Sequence, residues 1–128
     1  MKILLDTHVF LWWVTDDSRL SLKAREVISN IENQRFLSAA SGWEIAIKAK
    51  LGKISILENP KNFIYDQMEE NKIQMLPVQM NHALQVYNLP DLHRDPFDRL
   101  LVAQCQMENL PIITSDPCII KYNVTVVW

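Results

Sequence analysis

The sequence predicts an α/β fold, a three-layer α/β/α arrangement around a central, mostly parallel sheet. Three observations predict it. Short apolar runs of strand length recur along the chain. Segments with helical spacing fill the intervals between them. The 128 residues, 48% of them hydrophobic, are enough for one compact core. Alternating strands and helices imply right-handed crossovers, which place helices on both faces of a parallel sheet.

The elements follow in chain order. KILL (2–5) reads as a buried strand, and HVFLWWV (8–14) as a short helix. SLKAREVISNIEN (21–33) sets Leu22, Ala24, Val27, Ile28 and Ile31 on one stripe, with charges opposite. RFLSA (35–39) is the second strand. GWEIAIKAKL (42–51) is an amphipathic helix that stops at Gly52. PKNFIYDQMEEN (60–71) starts on a proline, which suits a first helical turn. IQMLPV (73–78) is a further strand, and MNHALQVYNL (80–89) a further helix. PFDRLLVAQCQMEN (96–109) is the long helix. PIITS (111–115) and VTVVW (124–128) are the last strands.

Composition excludes several function classes. With 22% charged residues the chain is too apolar for disorder. No apolar run approaches the length of a bilayer span. The start, MKILLDTH, lacks the long apolar region and small-residue cleavage site of a signal peptide, so a cytoplasmic protein is expected. Two glycines, Gly42 and Gly52, cannot build a phosphate-cradling loop or a dinucleotide fingerprint. A net charge of −2 argues against coating nucleic acid through bulk charge. Cys105 and Cys118 lie in apolar surroundings with no metal-ligand spacing, and read as small hydrophobes.

The informative residues are acids. In an open α/β sheet, ligands sit at the carboxyl ends of the strands. Asp6 follows the first strand, Glu44 lies shortly after the second, and Asp116 follows PIITS. Asp98 opens the long helix. Singly, each reads as a helix-start residue, since free N–H groups attract negative charge. Ser41-x-x-Glu44 has capping-box form. Asp95-Pro96 looks like an N-cap with proline following, which puts Asp98 at the third helical position, and Asp116-Pro117 repeats the pattern.

Collected at one sheet edge, the same acids mean something else. Carboxylates crowded in one cleft repel, so some protonate or a cation sits between them. Hard Mg2+ or Mn2+ suits oxygen ligands, and the lack of a His/Cys set argues against zinc. Such a cluster activates water and neutralises a phosphate, which makes a phosphodiester the expected substrate class.

Four blocks, LLDTHVFLWW (4–13), SAASGWEIAIKAKLGKI (38–54), HRDPFDRLLVAQC (93–105) and ITSDPCIIKYNV (113–124), resemble the PIN domain, and more narrowly the VapC-type toxins of bacterial toxin–antitoxin pairs. The resemblance implies a metal-dependent endoribonuclease with Asp6, Glu44, Asp98 and Asp116 as its catalytic, metal-holding acids. Thr114 matches a hydroxyl that orients a carboxylate or a water. The DRLLVAQ run puts Asp98, not Asp95, in the metal role. Asp95 is then the cap, with an outer-shell role left open. Family precedent gives a product with a 5′-phosphate and a 3′-hydroxyl.

The resemblance also implies a homodimer and an antitoxin whose C-terminal segment wraps the toxin. Family members are often rich in basic residues, and this chain is mildly acidic. RNA contact is expected from Lys48, Lys50, Lys53, Arg94 and Arg99. His93 abuts the acids, while His8 and His82 read as capping or solvent-facing. Two alternatives share the fold: a housekeeping PIN nuclease and a non-catalytic binding module. A receiver- or phosphatase-type protein is disfavoured, because Asp6-Thr7-His8 lacks the paired acids of that chemistry.

Overall fold

The computed structural model describes residues 1–128. The strands are β1 (Lys2–Leu5), β2 (Gln34–Ser38), β3 (Ile73–Leu76), β4 (Ile112–Ile113) and β5 (Val126–Val127). The helices are α1 (Thr7–Val14), α2 (Leu22–Ser29), α3 (Ala39–Lys50), α4 (Pro60–Glu70), α5 (Met80–Gln85), α6 (Pro96–Glu108) and α7 (Pro117–Ile120). A 3-10 turn, Val86–Asn88, follows α5.

The sheet has the order β3-β2-β1-β4-β5, and every pairing is parallel. The α/β expectation therefore holds, with a wholly parallel sheet. The chain runs outward from β1 to β3, then returns to add β4 and β5 on the other side of β1. That reversal makes a crevice between the carboxyl ends of β1 and β4, the usual place for a ligand.

Strand alternation divides the core in two. Ile3 and Leu5 of β1 face a layer with Val9, Phe10, Ala24, Ile28 and Met68, drawn from α1, α2 and α4. Leu4 points the other way, toward Leu101, Val102 and Cys105 of α6 and Ile119 of α7. β4 splits alike, Ile113 to the first layer and Ile112 to the second. Three consecutive fully buried residues in β1 are what a strand covered on both faces requires.

Several boundaries differ from the sequence expectation. α2 ends at Ser29, and Leu22 and Ile31 are more than four-fifths exposed, so the buried stripe is Ala24, Val27 and Ile28 alone. The Asn30 side chain accepts from the Glu32 N–H, and Asn33 Nδ2 donates to the Val27 carbonyl. These bonds give the backbone an alternative to further helix. α3 begins at Ala39, earlier than expected, because the Ser38 hydroxyl accepts from the Ala40 N–H and is the true cap.

The Ser41–Glu44 capping box is therefore corrected: Ser41 lies inside the helix. α3 stops as expected at Gly52, whose φ of +75° closes a Schellman turn, with Gly52 N–H bonded to Ala49 and Lys53 N–H to Lys48. β4 and β5 shrink to two residues each, and the Asp116-Pro117 pair opens a single short turn of helix, α7. His82 does not face solvent. It is fully buried, accepting from the Gln79 N–H through Nδ1 and donating through Nε2 to Glu108.

Candidate active site

Each acid is delivered by a strand end or by a helix start packed on the same edge. Asp6 directly follows β1 and occupies the cap position of α1, yet its side chain makes no capping bond. Instead Asp6 Oδ2 accepts from Thr114 Oγ1 at 2.7 Å, across the β1–β4 crevice. Thr114 is fully buried, and its hydroxyl also accepts from the Asp116 N–H at 3.0 Å. One hydroxyl thus fixes the Asp6 carboxylate and the turn that carries Asp116. Asp116 caps α7 through the Cys118 N–H.

Glu44 projects from α3, one turn beyond Ser41. The Ser41 hydroxyl accepts from Thr7 Oγ1 at 2.8 Å, tying α3 to the residue after Asp6. Glu44 is buried. Its Oε2 accepts from Lys48 Nζ at 2.6 Å, while Oε1 is buried without a partner. Asp98 is the third residue of α6. Asp95 caps that helix, accepting from the N–H groups of Phe97 and Asp98. His93 Nε2 donates to Asp98 Oδ2 at 2.9 Å. Ligand atoms of His93, Asp98 and Asp116 all lie within 4.8 Å of one another.

The electrostatics match the crowding. Burial, opposed by the Thr114 hydrogen bond and reinforced by Asp116 and Glu44, holds Asp6 above the ordinary carboxylate range. Burial, with repulsion from Asp95, Asp6 and Asp116, pushes Asp98 up to about 7 despite the His93 hydrogen bond. The Glu44 carboxylate keeps Lys48 firmly charged, and Asp95 and Asp98 add to the effect. These mutual influences put all four acids in one electrostatic neighbourhood.

A hard divalent cation fits this donor set. The unpartnered, buried Glu44 Oε1 is an acceptor without a donor, and such groups are rare unless a ligand completes them. The oxygens of Asp6, Glu44, Asp98 and Asp116 are the ligand type that Mg2+ and Mn2+ prefer. His93 brings an imidazole whose hydrogen bond orients the Asp98 carboxylate.

Two residues that the sequence did not single out complete the frame. Ser38 Oγ donates to Gln104 Oε1 at 2.6 Å, and Gln104 Nε2 donates to the Pro77 carbonyl. The cap of α3 is thereby tied to α6, the helices of Glu44 and Asp98. The signal was a glutamine among Leu101, Val102, Ala103 and Cys105 on a buried face. Of the cations expected to touch RNA, Lys48 pairs with Glu44 and Arg94 is exposed. Arg99 points inward, donating to the carbonyls of Val86, Pro90 and His93 and to the Tyr122 hydroxyl.

The family model described as PIN domain matches residues 3–123, nearly the whole chain. The chain belongs to the PIN-domain family. Two relatives of this PIN domain come from Mycobacterium tuberculosis (strain ATCC 25618 / H37Rv). Ribonuclease VapC22 is 27% identical over 115 residues, which is 89% of this chain and 86% of that protein. Ribonuclease VapC16 is 34% identical over 61 residues, 48% of this chain, and the match spans less than half of that protein, 42%. Among solved structures, VapBC2 from Rickettsia felis, bound to a DNA fragment from its promoter, superposes with a TM-score of 0.72 at 13% identity, covering 98% of this chain and 97% of that one. That likeness establishes the PIN fold.

Proposed function

We propose that this PIN domain, spanning 1–128, is a metal-dependent endoribonuclease and the toxin of a type II toxin–antitoxin pair. The observation that carries the reading is the convergence of Asp6, Glu44, Asp98 and Asp116 on one crevice, with Asp6 and Asp98 held above the carboxylate range and one Glu44 oxygen left unpartnered. The relatives named as VapC ribonucleases support the same chemistry.

Those four acids would hold Mg2+ or Mn2+. When bound, the cation neutralises the scissile phosphate and makes water a better nucleophile. The protein's own residues supply placement. Thr114 holds the Asp6 carboxylate, His93 holds that of Asp98, and Asp95 fixes the first turn of α6. Lys48 and Arg94 would meet RNA phosphates at the rim. Arg99 would act there only through the 86–93 segment it clamps. A water attacks phosphorus in line, leaving a 5′-phosphate and a 3′-hydroxyl. Cys105 is no nucleophile, since burial pushes its thiol up to about 12.

Two apolar surfaces support an antitoxin and a second copy of this chain as partners. A groove of about 630 Å3 beside α1 includes Leu11, Trp12, Ile54, Ile56, Leu57 and Phe63 in its lining, an apolar seat for an antitoxin segment. Met75, Val78, Met80, Leu84 and Tyr87 are exposed along one edge strand and the helix after it, which favours a homodimer. No helix is long and apolar enough to cross a membrane; a cytoplasmic setting, where RNA is at hand, completes the proposal.

The test is cleavage of total cellular RNA by antitoxin-free protein in Mn2+ and in EDTA, beside Asp98→Asn. Discrete cuts that need Mn2+ and fall by at least about a hundredfold in the variant are expected. Cuts that persist in the variant would remove Asp98 from the site. Absence of both cleavage and Mn2+ binding would turn the reading to a binding module.

A further inference from the structure

The two helices that carry Glu44 and Asp98 also carry an aromatic pair that the chemistry above does not use. Trp43 directly precedes Glu44 on α3, and Phe97 directly precedes Asp98 on α6. Their rings meet edge to face, with centroids 5.0 Å apart and planes at 74°. Phe97 is half-buried, but Trp43 is 60% exposed. Trp12 and Trp13, by contrast, pack against the core. A large indole held at a fixed angle, open to solvent and one residue from a metal-type carboxylate, is a rigid π surface beside the proposed scissile phosphate.

The charge distribution asks for such a surface. The chain carries a net charge of −2, and the acids themselves concentrate negative charge where RNA must approach. Lys48 is spent on Glu44, and Arg99 on carbonyls and a tyrosine. Of the cations expected to touch RNA, the exposed Lys50, Lys53 and Arg94 remain, and they supply few phosphate contacts. Stacking is the other general source of single-strand affinity, and it tolerates any base because every base has a π-face.

We propose that Trp43, braced by Phe97, stacks an unpaired nucleobase next to the phosphate held at the acidic crevice. Such stacking needs an unpaired base, because a base inside an A-form helix has both faces covered. This inference rests on the ribonuclease reading.

The experiment is steady-state cleavage of single-stranded RNA oligonucleotides in Mn2+ by wild type, Trp43→Leu and Trp43→Phe. Each is run on an intact oligonucleotide and on a set with one abasic nucleotide moved stepwise along the strand. Trp43→Leu should raise KM about ten- to a hundredfold with kcat nearly unchanged, and Trp43→Phe should recover most of the loss. For wild type, one abasic position should cost a similar factor; Trp43→Leu should be indifferent to it.

An unchanged KM in Trp43→Leu, or equal abasic penalties in both proteins, overturns the platform while leaving the nuclease intact. A fall in kcat alone, with a lowered melting temperature and no rescue by phenylalanine, reduces Trp43 to a support for Glu44 and also overturns it. Normal cleavage with a changed oligomeric mass assigns Trp43 to a protein contact instead. If wild type cuts no RNA, the ribonuclease reading and the platform fall together.

Discussion

Asp98 is a carboxyl whose fold prefers it neutral. Its folded value near 7 stands against 3.8 for a free aspartate. In the metal-free protein the folded state therefore binds more protons than the unfolded chain between those values. Stability is highest below about pH 4 as far as this group is concerned, falls as pH rises, and levels off above about pH 7. Taken in full the shift would be worth roughly 4 kcal/mol, and solvent at the crevice mouth reduces it to about 2 kcal/mol. Asp98→Asn should thus stabilise the metal-free protein by about that much near pH 8 and by little near pH 3.5. Urea unfolding in EDTA at the two pH values reads the difference; parallel pH slopes for both proteins would contradict it.

At the scale of the element, α6 depends on Asp95. Its carboxylate accepts two of the free N–H groups of the first turn, those of Phe97 and Asp98. Asp95→Ala should cost about 1 kcal/mol, and Asp95→Ser should restore most of it. RNA cleavage by the serine variant then separates cap from charge. Recovery with stability means that Asp95 acts as a cap; cleavage that stays low means that its charge matters to the crevice.

Asp95-Pro96 was legible because a cap and a proline obey local rules. So were the positions of the four acids, after a strand or within a helix, because strand and helix patterns are local too. Ser38, Ser41 and Gln104 were not. Their roles come from a helix that starts three residues early and from partners as much as 66 positions away. Leu22 and Ile31 failed for the opposite reason. Their spacing suits a helix, but asparagine side chains end α2 before the stripe can form.

For the whole molecule, the sign and placement of charge would set how the proposed RNA substrate binds. With two or three phosphates met, the logarithm of affinity should fall against the logarithm of salt with a slope of only about −1.5 to −2. Fluorescence anisotropy of a labelled single strand across a salt series measures it. A slope several times steeper would reveal a basic surface that the fold does not display. The sheet order has a separate consequence. Thr114 and Asp6 meet across 108 positions of chain, through a strand that lies beside β1 but follows β2 and β3 in the sequence. During translation Asp6 and Glu44 emerge long before Asp98 and Asp116. On the proposed function, a half-made chain on the ribosome holds two scattered acids and no complete site, so it would not cut the message being read or the ribosome reading it. The topology would then act as a timer, withholding the proposed activity until synthesis has passed the fourth strand.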